Sequence, residues 1–262
     1  MNLLKEIYSM NPFKIIFNTC EDMSYVGLKK AKLVVTSPPY WNLKNYESEN
    51  QIGYKEDYNK YLSRMFCVWK ECSNCLRDDG VFIININTKS ENKSLKLIPN
   101  EFIKQLKSID WILRDTLYWH KSSAIPQVNN FGDHFEYFLI FTKKISLITN
   151  NFNYFDYKME YMNNYNSWNI NKKFGSVGKK YMIHPAVFPV RFIERLISIF
   201  SKENDLIIDP FLGSGTSLIA SHNTKRKFIG YELNNEEYKK LIKDRLTEYS
   251  VDLNLVDFVD NH

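Results

Sequence analysis

Short apolar runs recur along the chain and alternate with stretches of mixed polarity. Each run is apolar at nearly every position over four to eight residues, which is typical of strands buried on both faces of a sheet. The runs are Phe13–Phe17, Leu33–Thr36, Val81–Ile86, Ile112–Tyr118, Phe135–Thr142, Leu206–Asp209 and Lys227–Tyr231. We therefore predict that these segments are strands.

Helical patterns lie between several of these runs. Apolar residues of Tyr58–Leu76 recur at helical spacing, Asp57 is placed to cap the start, and Asp78–Gly80 would end the helix. Pro189 fits the first position of another helix, and Tyr238–Leu246 marks a last one. Strands that alternate with helices predict an α/β fold with a doubly wound, mostly parallel sheet.

The domain organisation is predicted to be simple. A chain of 262 residues is long enough for one α/β domain with a modest insertion. The segment Asn150–Lys180 is rich in Asn, Tyr and Lys and has poor periodicity. Loops of this length usually carry a function or are disordered. We predict one domain over residues 1–262, with an insertion at 150–180.

Composition narrows the class of protein. The net charge of +5 permits a nucleic-acid partner without requiring one. Four cysteines are too few for a disulfide framework, which indicates reduced thiols and a cytoplasmic location. Cys72 and Cys75 have zinc-like spacing, but no second pair accompanies them, so no metal is predicted. No apolar run approaches the roughly 20 residues that span a bilayer, and Met1–Met10 is unlike a secretory signal.

A glycine-rich turn follows the strand that ends at Asp209. Gly213 and Gly215 allow a ligand to approach the backbone closely, but Leu218 stands where a dinucleotide site requires a third glycine. Glu232 ends the next strand, where an acid suits ribose hydroxyls. This combination favours a nucleoside ligand without a pyrophosphate, and S-adenosyl-L-methionine fits. A purely structural turn with a surface Glu is the alternative.

A second turn follows the strand Leu33–Thr36. In the sequence Ser37-Pro-Pro-Tyr40, two prolines fix the backbone and remove two N–H donors. The Ser37 hydroxyl and the carbonyls of Ser37 and Pro38 then form a rigid row of acceptors, and Tyr40 offers a flat face beside them. Such a site suits an NH2 group and the ring that bears it; a stiff exit from the strand is the alternative. Both turns leave the carboxyl ends of strands, so we expect them to face one cleft.

The sequence resembles the amino-methylating DNA methyltransferases, which modify N4 of cytosine or N6 of adenine. The matching segments are Thr36–Trp41 (TSPPYW), Tyr118–Lys121, Glu136–Lys143, His184–Pro189, Asp209–Thr216 (DPFLGSGT) and Glu232. The catalytic motif precedes the cofactor motif, as in the family's permuted β group. The resemblance implies a Rossmann-like sheet of seven strands, S-adenosyl-L-methionine as cofactor, double-stranded DNA as substrate and 150–180 as the target-recognition segment.

The resemblance also implies roles for particular residues. The catalytic residues would be Ser37, Pro38, Pro39 and Tyr40, with Trp41 as a second ring to stack on a flipped base. The cofactor would contact Asp209, Phe211, Gly213, Ser214, Gly215, Thr216, Glu232 and Asn18. Asp209 either shapes the turn or meets the methionine amine. Asn18 stands where the family usually has an acid, and Glu21 and Asp22 are nearby.

The identity of the target base rests on one residue. Many adenine enzymes have Asp before Pro-Pro-Tyr, whereas Ser37 is more typical of cytosine-N4 enzymes, so we expect N4 of cytosine, with N6 of adenine as the alternative. Methylation of protein glutamine or RNA is disfavoured because those enzymes more often carry Asn-Pro-Pro-Tyr. A non-catalytic DNA-binding module is disfavoured because both motifs are intact. A restriction endonuclease is a candidate partner, and either a monomer or a homodimer is compatible with the sequence.

Overall fold

The computed structural model describes residues 11–43, 45, 50–91, 94–120, 135–143, 167–169 and 189–260. The helices α1–α5 span Tyr58–Cys75, Ile98–Lys107, Val190–Phe200, Thr216–Asn223 and Asn235–Glu248. The strands β1–β11 span Phe13–Phe17, Ala31–Thr36, Leu76–Ile86, Lys89–Glu91, Ser94–Lys96, Ile112–His120, Phe135–Thr142, Ser167–Asn169, Leu206–Asp209, Lys227–Tyr231 and Val256–Asp260.

Nine of these strands form one sheet in the order β11-β1-β10-β9-β2-β3-β7-β6-β8. The pairs from β11 to β3 are parallel, and β7 is antiparallel to both β3 and β6. The seven predicted strands are the continuous centre of this sheet, which confirms the predicted fold class. The edge strands β8 and β11 extend it beyond the predicted seven.

The direction in which the chain adds strands changes between β2 and β9. From β2 the chain continues outward to β3, whereas from β9 it continues to β10 on the other side. Ligands of doubly wound folds bind at the carboxyl ends of the strands at such a switch point. The two motif-bearing turns follow β2 and β9, so the fold places both of them there.

The core lies on both faces of the sheet. Alternate side chains of β2 enter different clusters: Leu33 and Val35 belong to one, and Val34 to the other. The first cluster includes apolar residues of α3, α4 and α5, and the second includes those of α1 and α2. Near-complete burial on both faces explains why four of the six residues of β2 are apolar.

Two local predictions need correction, and a third lies mostly outside the described residues. Asp57 caps α1 as predicted by accepting a hydrogen bond from the Lys60 N–H at 2.9 Å, but the helix ends at Cys75 and Asp78–Gly80 already belongs to β3. Pro189 is the N-cap of α3 rather than its first residue. Of the predicted insertion at 150–180, only Ser167–Asn169 is described, and it pairs with β6; the rest lies outside the described residues.

Candidate active site

A cavity opens at the carboxyl ends of β2 and β9. Five segments line most of it: Asn18–Cys20, Ser37–Tyr40, Asn50–Ile52, Pro210–Ser214 and Tyr231–Asn234. It encloses about 1070 Å³, part of which is open to solvent. The cavity is therefore a cleft that solvent can enter and not a closed void.

Ten of the twelve predicted site residues line this cavity, namely Asn18, Ser37, Pro38, Pro39, Tyr40, Phe211, Gly213, Ser214, Thr216 and Glu232. Asp209 and Gly215 do not line it. The expectation that the two turns face one cleft is therefore met. The chemical roles of the ten residues remain predictions.

The proline-containing turn is held by side chains from three elements. The Ser37 hydroxyl lies 3.1 Å from the Asn85 side-chain oxygen on β3, and the Tyr61 hydroxyl on α1 donates to the Pro39 carbonyl at 3.0 Å. A longer hydrogen bond, 3.4 Å, runs from the Tyr40 hydroxyl to Glu136 on β7. These contacts add to the stiffness that the prolines give the backbone.

Trp41 does not face the cavity, so its predicted role as a second stacking ring is not supported. Its side chain is buried, its ring NH donates to the Glu56 carbonyl at 2.9 Å, and its ring packs against Tyr58 at 4.9 Å between centroids. Tyr40, which does line the cavity, is the aromatic ring of this turn that is available to a base.

The glycine-rich turn depends on left-handed backbone at two positions. Gly213 has φ of 54° and Gly215 has φ of 85°, a region that residues other than Gly rarely adopt. Gly215 is the N-cap of α4, so its role is to turn the chain into the helix. The buried Arg245 guanidinium on α5 supports this turn: it donates to the Ser214 carbonyl at 2.6 Å and to the Thr216 hydroxyl at 3.1 Å.

Asp209 anchors the base of this turn. One carboxylate oxygen accepts from the Thr36 hydroxyl at 2.6 Å and from the Phe211 N–H at 3.0 Å, and the other accepts from the Ser217 hydroxyl. Burial raises the pKa of Asp209 to about 6, and these hydrogen bonds partly offset the rise. Because both oxygens are engaged away from the cavity, Asp209 shapes the turn, and the predicted contact with the methionine amine is not supported.

Glu232 joins the glycine-rich turn to the end of β10. Its two carboxylate oxygens accept from the Gly213 N–H at 2.9 Å and from the Asn234 N–H at 3.0 Å. Desolvation raises the pKa of Glu232 to about 7, against the opposing effect of these backbone donors. The carboxyl lines the cavity, where ligand hydroxyls can reach it.

After β1, which pairs with β10, Asn18 lines the cavity, and its side-chain oxygen accepts from the Thr19 N–H at 2.7 Å. The nearby Glu21 turns away to form an ion pair with Arg64 at 2.6 Å, and that hydrogen bond holds the Glu21 pKa below its usual value. Arg64 also donates to the backbone carbonyls of Asn50 and Gln51, which line the cavity. Asn18 and Thr19 are thus the polar residues that this segment contributes to the lining of the site.

Sequence reasoning missed the residues that support the site from behind. Asn85, Tyr61 and Arg245 each bond a motif residue, yet none belongs to a motif. Asn85 was detectable in principle, because an amide inside an otherwise apolar strand needs a buried partner. No comparable signal in the sequence pointed to Tyr61 or Arg245.

We also searched the described part of the chain for metal-binding groups and for membrane-spanning helices. Within it, no group of three or more His, Cys, Asp or Glu side chains is arranged to hold a metal ion. None of its helices combines the length and apolarity that crossing a membrane requires.

Comparison with known sequences gives a consistent result. The profile of the N6/N4 methyltransferase family, described as DNA methylase, matches residues 31–244. Type II methyltransferase M.Cfr9I of Citrobacter freundii is 27% identical over 254 residues, which cover 82% of this chain and 81% of the relative. Orphan methyltransferase M.BamHII of Bacillus amyloliquefaciens is 28% identical over 84% of this chain and 89% of its own length.

Solved structures share the fold. A putative DNA modification methylase from Thermus thermophilus, complexed with S-adenosyl-L-methionine, superposes with a TM-score of 0.68 at 22% identity, covering 95% of this chain and 100% of that one. The cytosine-N4-specific PvuII DNA methyltransferase gives a TM-score of 0.69 at 18% identity, with coverage of 95% and 97%. Since the family profile matches most of the chain, this protein belongs to the N6/N4 family of DNA methylases, whose methyl donor is S-adenosylmethionine.

Proposed function

We propose that this protein is a site-specific DNA methyltransferase that transfers the methyl group of S-adenosylmethionine to N4 of cytosine in a base flipped out of the duplex. The observation that carries the proposal is the shared cavity, which has Ser37 on one wall and Gly213 on another. We call the side formed by Ser37–Tyr40 the base-binding wall, and the side formed by Pro210–Ser214, Thr216 and Glu232 the cofactor-binding wall. An amine held by the base-binding wall would lie next to a methyl donor held by the cofactor-binding wall.

The residues of the cofactor-binding wall fit S-adenosylmethionine. The Glu232 carboxyl lines the cavity and suits ribose hydroxyls, and Phe211 supplies an apolar surface for the adenine. Gly213 leaves space for the ligand beside the turn. The bound sulfonium supplies an activated methyl group. Glu232, Phe211, Gly213, Ser214, Thr216 and Asn18 would hold this cofactor.

The residues of the base-binding wall fit the target base. An exocyclic amine is a poor nucleophile because its lone pair is delocalised into the ring. Ser37 and the Pro38 carbonyl would accept its two N–H bonds, which localises the lone pair and directs it toward the methyl group. Tyr40 would stack on the flipped base, a contact worth about 1–3 kcal/mol in single-strand binding. Positioning and electrostatics then lower most of the barrier.

Two observations favour cytosine over adenine. Serine rather than aspartate precedes Pro-Pro-Tyr in this chain. The PvuII enzyme, whose fold this chain shares, is described as cytosine-N4-specific. Transfer to N6 of adenine is the second candidate, because the family includes both reactions and the same acceptor row suits either amine.

The names of the relatives support a role in restriction and modification. M.Cfr9I is named a Type II methyltransferase, so we propose that methylation by this protein protects DNA from a cognate restriction endonuclease. Residues 150–180 would read the DNA sequence, because Asn, Lys and Tyr suit base edges, phosphates and stacking. Exchange of this segment with that of a relative should change the methylated sequence; an unchanged sequence would contradict the assignment.

The test of the function is a methyl-transfer assay on mixed-sequence DNA with radiolabelled S-adenosylmethionine, followed by digestion and identification of the modified nucleoside. We expect N4-methylcytosine. N6-methyladenine would establish the second candidate. Absence of any methylated nucleoside, from protein shown to be folded and to bind the cofactor, would overturn the proposal.

A further inference from the structure

Asn85 is a buried amide directly behind Ser37. It lies on β3 with 1% of its surface exposed, and it does not line the cavity. Its side-chain oxygen lies 3.1 Å from the Ser37 hydroxyl, and its NH2 group donates to the backbone carbonyl of Tyr137 at 3.1 Å. The amide therefore connects Ser37 to the antiparallel strand β7.

These two contacts fix the direction of the Ser37 hydrogen bond. A backbone carbonyl can only accept, so the NH2 group of Asn85 must face Tyr137 and the amide oxygen must face Ser37. The amide oxygen can also only accept, so the Ser37 hydroxyl must be the donor. A serine hydroxyl has one proton, and here that proton is committed to Asn85. What Ser37 presents to the cavity is its lone pairs.

The rest of the turn has the same polarity. Pro38 and Pro39 line the cavity beside Ser37 and have no N–H to donate. With the Ser37 hydroxyl proton directed toward Asn85, the Ser37 side chain and the two prolines offer acceptors alone to the ligand. An NH2 group satisfies such a surface, whereas a carbonyl oxygen meets lone pairs opposite its own and loses its hydrogen bonds to water.

We propose that Asn85 is a positioning residue that sets base specificity: by keeping Ser37 an acceptor, it makes the pocket select exocyclic amines and reject exocyclic carbonyls. The selection applies to the group at position 4 of a pyrimidine or position 6 of a purine. Cytosine and adenine carry an amine there, whereas thymine, uracil, guanine and hypoxanthine carry a carbonyl there. This inference rests on the proposed function, since it assumes that a flipped base enters the cavity beside Ser37.

The chain supplies a matched control for a purely structural role. Asn87 lies two residues further along the chain, just after the end of β3, and is also buried, and its NH2 group donates to the Phe135 carbonyl at 2.9 Å. It makes the same kind of connection to β7, but its side-chain oxygen accepts from the Thr88 N–H instead of from Ser37. If Asn85 served only to join the strands, Asn85→Ala and Asn87→Ala would behave alike.

The experiment compares amine and carbonyl versions of one target. The methylated position is first identified with mixed-sequence DNA. Two duplexes then carry at that position the natural base or its carbonyl counterpart, which is uracil for cytosine and hypoxanthine for adenine. In both duplexes the base is placed opposite an abasic site, so that the cost of unpairing is the same. Affinity is measured in the presence of S-adenosylhomocysteine.

The wild-type protein should prefer the amine-bearing duplex by about 10-fold or more, since a site built around hydrogen bonds rejects a ligand that cannot form them. In Asn85→Ala the freed hydroxyl can rotate and donate, so the preference should fall to about 3-fold or less. The kcat for the amine substrate should fall about 10- to 100-fold because the acceptor is no longer held in place.

Two variants complete the test. Asn87→Ala should keep the wild-type preference. Asn85→Asp should restore it, because the protonated acid offers one oxygen to Ser37 and one O–H to Tyr137. Equal binding of the two duplexes by the wild type would overturn the proposal even if no variant folds. An unchanged preference in folded Asn85→Ala would also overturn it, and in both cases methyl transfer by the wild type would leave the proposed function standing.

Discussion

The Thr36 hydroxyl donates a hydrogen bond to the Asp209 carboxylate over 2.6 Å, and each of these two residues is 1% exposed. Thr36 is the last residue of β2 and Asp209 the last residue of β9, so the bond connects the starts of the two turns that form the cavity. This contact between two buried side chains therefore adds to the backbone pairing of β2 with β9 in holding the base-binding and cofactor-binding walls together.

Thr36→Val should loosen this connection without a large change in volume. A buried oxygen of Asp209 loses a donor, which should lower the free energy of unfolding by about 1–3 kcal/mol. We also expect kcat to fall, because the two walls are no longer held in register. Urea unfolding and steady-state kinetics measure the two effects.

Thr142→Val is the matched control for that variant. Thr142 is also buried at the end of a strand, and its hydroxyl has no hydrogen-bond partner among the described residues. Removing an unpartnered hydroxyl leaves no other group unsatisfied, so stability should be unchanged or slightly higher. If the two variants were equally destabilised, the Thr36–Asp209 bond would have no special importance.

Ser37→Ala and Tyr40→Ala should impair use of the target base without impairing cofactor binding. Both residues lie on the base-binding wall, so each variant should lose turnover by about 100-fold or more while its affinity for S-adenosylhomocysteine stays close to that of the wild type. Calorimetry and methyl transfer provide the two readouts. Full activity in both variants would refute the assignment of this wall.

Cofactor affinity should depend on pH through Glu232. The pKa of this carboxyl is raised to about 7, chiefly by desolvation, so below pH 7 the group is mostly protonated. Ribose hydroxyls donate more strongly to the ionised form, so binding below pH 7 must release a proton. Affinity for S-adenosylhomocysteine should therefore rise about fivefold from pH 6 to pH 7, and by no more than about twofold above pH 7.

Glu232→Gln tests the origin of that dependence. The amide cannot titrate, so its affinity should be lower and nearly flat between pH 6 and 8. A wild-type affinity that does not change over this range, or a glutamine variant that keeps the full slope, would assign the titration to another group. Asp209, whose pKa is raised to about 6, is the nearest such group.

Arg245 should matter for the cofactor although it does not line the cavity. Arg245→Met removes the donor to the Ser214 carbonyl and the Thr216 hydroxyl, so the turn loses its support from α5. Hydrogen bonds to charged groups are worth more than neutral ones, and we expect affinity for S-adenosylhomocysteine to fall about 10- to 100-fold. Lys239→Met, a control on the same helix that removes an ion pair with Asp260, should leave that affinity unchanged.

Much of the central sheet was predictable because its strands are buried on both faces. The seven predicted runs are all strands of the central sheet, but the order of the strands and the antiparallel direction of β7 were not predicted. The edge strand β11 was missed because its sequence, Val-Asp-Phe-Val-Asp, is short and half polar. The hairpin of β4 and β5 was missed for a similar reason, since each strand has three mostly polar residues.

The site was predictable where chemistry constrains neighbouring residues and unpredictable where it depends on tertiary contacts. Two prolines beside a serine limit what the backbone can offer, so the acceptor row was visible in the sequence. The partner that orients Ser37 is 48 residues away on another strand, and no local pattern connects the two. Asp209 was assigned to the cofactor because the motif does not reveal which way its carboxylate points.

A crystal structure of the protein with S-adenosylmethionine bound tests the central claim most directly, by measuring the distance from the Ser37 side-chain oxygen to the transferable methyl carbon. An accepted N–H places the target nitrogen about 2.9 Å from that oxygen, and near-attack geometry places the methyl about 3–3.5 Å from the nitrogen. The methyl should therefore lie within about 6 Å of the Ser37 oxygen, with open space between them for the amine. A methyl more than about 10 Å away, or one shielded from Ser37 by protein atoms, would contradict the account.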